Sequence, residues 1–250
     1  MTNKFRYFIA NWKMYGDLNS LKSINKVIKF VKSHKNKRFK LVYCPPYTLL
    51  HSFSNKLKKT LIGVGAQNCH TEQEYGPFTG NVNAKMIKNL GVKFIIIGHS
   101  ENRADGETDK IINKKIISAL KQNLIVLFCI GETFLQKKRK QTNKILKKQI
   151  LKGLLGLKKN TRILIAYEPI WSIGTGVIPK NSELNKNINF IKSIVKKNTK
   201  LKKVKVLYGG SVNPKNISIL NTIKSIDGYL IGGASQNAKK LIDIVKKTYN

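Results

Sequence analysis

Residues Arg162–Gly176 read RILIAYEPIWSIGTG. The apolar opening, Ile163 to Ala166, has the unbroken hydrophobicity of a strand buried on both faces, as in parallel sheets. A carboxylate, Glu168, follows it, and Pro169 ends any ladder there. A charge at the end of a buried strand is costly unless it is paired or put to use. In parallel α/β folds the C-terminal strand ends are where ligands bind. Gly174 and Gly176 bracket Thr175 and permit backbone angles that other residues avoid. Trp171 and Ile173 add the apolar weight of a loop that could close over a ligand. Taken alone, the stretch fits equally well a strand capped by a satisfied Glu and followed by a turn.

Similar apolar runs recur on both sides of it: Phe5–Ala10, Phe39–Cys44, Leu61–Ala66, Phe94–Ile97, Leu124–Cys129, Val204–Leu207 and Tyr229–Ile231. Segments of helical period separate them. Leu21, Ile24, Val27, Ile28 and Val31 share one face, as do Leu184, Ile188, Ile191 and Val195. Thr48 to Leu57 reads as a helix after Pro45-Pro46. Val82, Met86, Ile87 and Leu90 mark another, which Gly91 terminates. Leu146, Ile150, Leu151, Leu154 and Leu155 form a further apolar stripe. Asn213-Pro214 reads as the N-cap and first turn of the helix after the seventh run. Eight β/α units in 250 residues predict an α/β fold, a single (β/α)8 barrel over residues 1–250. An open doubly wound sheet is the alternative, but no GxGxxG follows the first run.

Lys and Arg number 48 against 12 Asp and Glu, a formal charge of +36. Lys supplies nearly all of it, spread along the chain, which reads as a bias of composition rather than a built patch. Such a field draws in anionic substrates. It also leaves open a basic nucleic-acid-binding barrel, with Gln136–Lys159 (Lys137, Lys138, Arg139 and Lys140 within it) as its stripe. Cys44, Cys69 and Cys129 have no zinc or CxxC spacing and suit a reducing, cytoplasmic setting. No signal-peptide architecture follows Met1, and no apolar run approaches a membrane span.

Acids are scarce, and Glu101, Glu132 and Glu168 each fall just after a strand-like run. Asn11 and Lys13 follow the first run, His99 and Ser100 the fourth, Gly209-Gly210-Ser211 the seventh, and Gly232-Gly233 the eighth. Taken singly, Lys13 is one lysine of many, His99 could be a hydrogen-bonded core residue, and the glycines could be tight turns. In a barrel all these ends share one rim. A cation, an imidazole, a carboxylate and Gly-rich anion loops on one rim suit proton abstraction beside a carbonyl on a phosphorylated substrate. That chemistry calls for no cofactor and no metal.

The ordered set Asn11-Trp12-Lys13-Met14, Gly65-Ala66-Gln67-Asn68, Phe78-Thr79-Gly80, Ile97-Gly98-His99-Ser100-Glu101, Cys129-Ile130-Gly131-Glu132, Tyr167 to Gly176, Tyr208 to Val212 and Ile231 to Ala234 resembles the triosephosphate isomerase family from end to end. The resemblance implies interconversion of dihydroxyacetone phosphate and D-glyceraldehyde 3-phosphate through an enediolate. It also implies the roles, which come with the family and not from spacing. Glu168 is the base, and His99 the neutral imidazole that polarises the carbonyl. Lys13, with Asn11 beside it, is the cation, and Glu101 is its support. Gly174, Ser211, Gly232 and Gly233 form the phosphate grip, and Ser172–Gly176 the lid. The Gln67–Gly80 loop resembles the family's dimer loop, so the expected partners are a phosphorylated triose and a second copy, with no membrane and no specific nucleic acid. Asn102, where Arg is usual, Ser172, where Ala is common, and the hinge Val177-Ile178-Pro179 depart from the pattern.

Overall fold

The protein is described by a computed structural model covering residues 4–158, 162–201 and 204–249. Met1 and Lys159 lie outside these residues. Eight parallel strands close a barrel in sequence order. They are β1 (Arg6–Asn11), β2 (Phe39–Cys44), β3 (Gly63–Ala66), β4 (Phe94–Ile97), β5 (Ile125–Ile130), β6 (Ile163–Tyr167), β7 (Lys205–Tyr208) and β8 (Gly228–Ile231). β1 pairs with β8 through Tyr7↔Gly228 to Ala10↔Ile231, which seals the ring.

Strand alternation sorts the apolar residues into two layers. Ile9, Val42, Cys44, Phe94, Ile96, Leu127, Cys129, Leu164, Ala166, Leu207 and Leu230 fill the barrel interior. Their neighbours, such as Phe8, Ala10, Ile95, Ile97, Val126, Phe128, Ile163 and Ile165, face the surrounding helices. Both faces are buried, so the runs are apolar throughout rather than alternating.

Boundaries differ from the sequence reading where local chemistry decides. Leu61 is exposed, and β3 begins at Gly63. The helix after Pro46 starts at Tyr47. The helix after β7 is Ile217–Asn221, with Asn216 rather than Asn213 at its cap. The Asn213 side chain instead accepts from Lys215 N–H (2.8 Å) and Asn216 N–H (3.2 Å), closing a turn one step earlier. The basic stripe is two helices, Phe134–Lys138 and Thr142–Gly153, broken where Lys140 takes φ 56°. Leu155, beyond the second, is exposed. No helix among the described residues is long and apolar enough to cross a membrane.

Just before β8, at the N-terminal end of the barrel, Asp227 is buried and staples the closure. Its carboxylate lies 2.7 Å from Lys192 Nζ and 2.9 Å from Lys4 Nζ, and it accepts from Val206 N–H at 2.9 Å. Burial pushes its pKa up, but these hydrogen bonds and the two lysines outweigh it and hold the carboxyl below the ordinary value. On acidification the unfolded chain therefore takes up the proton first. The stabilisation is complete above the ordinary carboxylate range and is lost as pH falls below it. Asp227→Asn is expected to cost about 2–3 kcal/mol at neutral pH, the worth of charged hydrogen bonds at a buried site. Thermal unfolding of both proteins from pH 7 down to pH 3 checks it. The gap should narrow at the acid end, and a constant gap would exclude the charge.

Candidate active site

The C-terminal ends of β1, β4, β6, β7 and β8 surround a cleft of ≈ 590 Å³. Asn11, Lys13, His99 and Glu168 line one part of it, and Gly174, Ser211, Gly232 and Gly233 the other. Of the residues read from the sequence, Glu101 stands outside, lining the adjoining hollow beside the Gln67–Val82 segment.

Glu168 emerges from β6 almost fully buried, at 2 % exposure. Its Oε1 lies 3.2 Å from His99 Nε2. Desolvation raises its pKa, with His99, the Cys129 thiol, Lys13 and the Ser100 N–H pulling the other way. His99 is equally hidden and caps the helix Ser100–Ala104. Its Nδ1 accepts the Glu101 N–H at 3.3 Å. That acceptor role leaves the ring proton on Nε2, the nitrogen facing Glu168. Glu101 Oε2 also lies 3.5 Å from Nδ1, too far for a charged hydrogen bond, and its other oxygen is engaged by Lys13 Nζ.

Lys13 sits in the left-handed region, φ 56°, which lysine adopts only where its surroundings insist. Three contacts insist here. Asn11 Oδ1 accepts the Lys13 N–H at 3.0 Å. Gln67 Nε2 donates to Lys13 O at 2.8 Å and to Cys44 O at 2.9 Å. Next door, Trp12 Nε1 donates to Ser235 O at 3.1 Å and ties this loop to the one after β8. There Gly233 opens a single turn to Gln236, and a Cβ on Gly232 would lie 3.6 Å from Lys13 Cε. The ammonium stem thus runs beside the bare backbone.

Several residues do work that the sequence reading assigned elsewhere or left unassigned. Gly209 gives room to the carboxylate arm, since a Cβ there would meet Glu168 Cγ at 2.7 Å. At Gly131 a Cβ would stand 1.8 Å from Glu168 O, so β5 and β6 can approach only with glycine there. Arg103 buckles β4 to β5, with Nε donating to Gly98 O at 2.8 Å and Nη2 to Cys129 O at 3.2 Å, while Asp109 pairs with Nη1. Glu132 is fully buried and accepts from Trp171 Nε1 at 3.1 Å and from Tyr167 O–H at 3.2 Å. Lys137 covers the Trp171 ring at 3.7 Å and pairs with Glu183. Trp171 is therefore held at the root of the lid, and a member of the basic stripe is already engaged. The only advance signal for Glu132 was its place as an acid at a strand end.

A family model described as triosephosphate isomerase matches residues 6–248. The chain belongs to the triosephosphate isomerase family. The triosephosphate isomerase of Dictyoglomus thermophilum is 42% identical over 95% of this chain and 97% of its own length. That of Geotalea uraniireducens is 39% identical over 95% and 96%. The crystal structure of triosephosphate isomerase from Bartonella henselae superposes with a TM-score of 0.88 at 31% identity, covering 98% of this chain and all of that one. As a member of the family the chain is an isomerase, interconverting dihydroxyacetone phosphate and D-glyceraldehyde 3-phosphate, a step of glycolysis.

Proposed function

We propose that the residues around the cleft carry the triosephosphate isomerase reaction within one catalytic domain, with Glu168 as the base. The observation that carries this reading is the buried 3.2 Å approach of Glu168 Oε1 to His99 Nε2, with Lys13 lining the same cleft. A carboxylate with a raised pKa is a stronger base than an exposed one and can take a carbon-bound proton. It moves that proton between C1 and C2. The Nε2–H of His99 donates to the carbonyl oxygen as negative charge develops, then passes protons between the two enediolate oxygens. Lys13 offsets that charge, and Glu101 fixes the direction of its ammonium. Backbone N–H groups of Gly232, Gly233, Gly174 and Ser211 grip the phosphate. Because the phosphate is remote from the reacting carbons, its binding energy can hold the lid closed during proton transfer. A coupled assay with D-glyceraldehyde 3-phosphate tests the assignment. Fast turnover in the wild type that collapses on Glu168→Gln supports it, and survival of turnover in the variant rejects Glu168.

The enzyme works as a homodimer through Gln67–Gly80 and, with three buried free thiols, in the reducing cytoplasm. The loop is built rather than slack. Asn83 Nδ2 donates to Glu74 O at 2.7 Å, His70 N–H to Val82 O at 2.8 Å, and Lys121 Nζ to Gln73 Oε1 at 2.6 Å. Its root is tied by Asn68 to Glu107, which pairs with Lys115. Yet Tyr75 and Phe78 on the loop, and Met14 and Tyr15 beside Lys13, are exposed, Met14 at 92 %. Apolar side chains set out on a rigid loop mark a contact surface. Thr79 of one copy would then approach the other's site. Sedimentation equilibrium is expected to return twice the chain mass, with Phe78→Lys shifting it toward the monomer. A wild-type monomer at micromolar concentration would rule this out.

A further inference from the structure

Ser172, at the end of the single turn Ile170–Ser172, is fully buried where three segments meet. Its Oγ lies 2.6 Å from Val177 O, 2.8 Å from the Tyr208 hydroxyl and 3.4 Å from Ser211 N. A carbonyl only accepts and an N–H only donates, so the pattern is fixed. Ser172 O–H donates to Val177 O, and its lone pairs accept from Tyr208 O–H and Ser211 N–H. One donor and two acceptor sites are all that a serine hydroxyl has, and all are used. Gly210 completes the fit, because a Cβ there would stand 2.3 Å from the Tyr208 hydroxyl and 2.6 Å from Ser172 Oγ.

The three partners belong to different parts of the site. Val177 is at the far end of the lid, and Ser211 is on the loop after β7 that lines the cleft. Between Ser172 and Val177 the lid makes only internal side-chain bonds among those described, with Thr175 Oγ1 donating to Ser172 O and accepting from Val177 N–H. Gly174 and Gly176, at φ 72° and 79°, would have nothing within 4 Å of an added Cβ. The lid tip is thus open, and its two ends are clasped through one oxygen that also touches the loop after β7.

We propose that Ser172 is a positioning residue that couples the lid to the phosphate-gripping loop, so that phosphate arrival at Ser211 and lid closure are one event. This rests on the reading above in which Ser211 holds the phosphate. The Ser211 N–H bond is the longest of the three and therefore the one that a phosphate oxygen displaces most easily. The two short bonds then keep the lid end and Tyr208 in place over the cleft.

The experiment compares wild type, Ser172→Ala, Tyr208→Phe and the double variant on D-glyceraldehyde 3-phosphate and on D-glyceraldehyde, the same aldehyde without the phosphate. Ser172→Ala is expected to lower kcat/KM for the phosphorylated substrate about tenfold, as for one or two lost neutral hydrogen bonds. It should leave the rate on D-glyceraldehyde within about twofold. Inorganic phosphate released per turnover should rise, because a loosened lid exposes the enediolate. Tyr208→Phe should show the same selective loss, and the double variant should be no worse than the poorer single one. Should Ser172→Ala fold poorly, Tyr208→Phe still carries the substrate comparison. Equal losses on both substrates, no loss, or fully multiplying effects in the double variant overturn the proposal. A wild type without preference for the phosphorylated triose would overturn the phosphate reading itself. A normal preference that Ser172→Ala leaves unchanged would overturn only the role of Ser172.

Discussion

Glu168→Gln is expected to lower kcat by about 10²- to 10⁴-fold, the usual worth of a positioned general base. The amide is almost isosteric, so the packing over Gly209 and beneath the C-terminal end of β5 should survive. Glu168 is buried beside His99 Nε2, and a glutamine can still accept from that nitrogen through its amide oxygen. What disappears is the ability to take a proton from carbon. Unchanged far-UV circular dichroism and melting temperature with collapsed turnover is the expected pattern. The raised pKa adds a second signature. In the wild type the acid limb of kcat/KM should fall above the ordinary glutamate range, because the base works only when deprotonated and burial holds its proton longer. A limb at or below pH 4 would mean that the carboxylate is better solvated than its position allows.

Lys13→Ala is expected to remove about 10²- to 10³-fold of kcat/KM, as for the loss of one preorganised donor worth roughly 3–4 kcal/mol. Both residues carry a Cβ, so the left-handed backbone costs the same on either side of the comparison. The deficit therefore reports the ammonium. With 48 basic residues a general field could in principle replace it. Salt separates the two contributions. The field is screened within about 10 Å at 0.1 M ionic strength, whereas a cation lining the cleft acts at contact. The deficit should persist in high salt, and a variant with wild-type kinetics at moderate salt would end the local-charge role.

The strand runs were legible because a parallel barrel buries both faces, so apolar continuity alone marks them. β4 matched residue for residue, and the other boundaries moved by one or two positions where a Gly or a side-chain cap intervened. The rim residues were legible because polar groups after apolar runs are costly and therefore stand out. What stayed hidden depends on partners distant in sequence. Nothing about Glu132 alone says that an indole will bind it, and nothing about Gly131 says that a carbonyl will fill its missing Cβ. Ser172 illustrates the same limit. As the opening residue of a mobile-looking loop it read as lid, yet it is a buried junction, because its three partners lie five, 36 and 39 residues away. Trp171 likewise read as apolar weight for closure and proved to be anchored.

The bond from the Trp12 indole to Ser235 spans 223 positions and, with the β1–β8 seam, joins the two ends of the cleft. During synthesis β1 therefore leaves the ribosome long before the strand that it must meet. Until β8 follows, Lys13 has no neighbouring glycine backbone and the barrel keeps two open edges, where unpaired strands invite wrong partners. Competence to bind the anion thus arrives late and all at once. Loss of even the final strand would cost the first loop its function, though that loop would have been made intact.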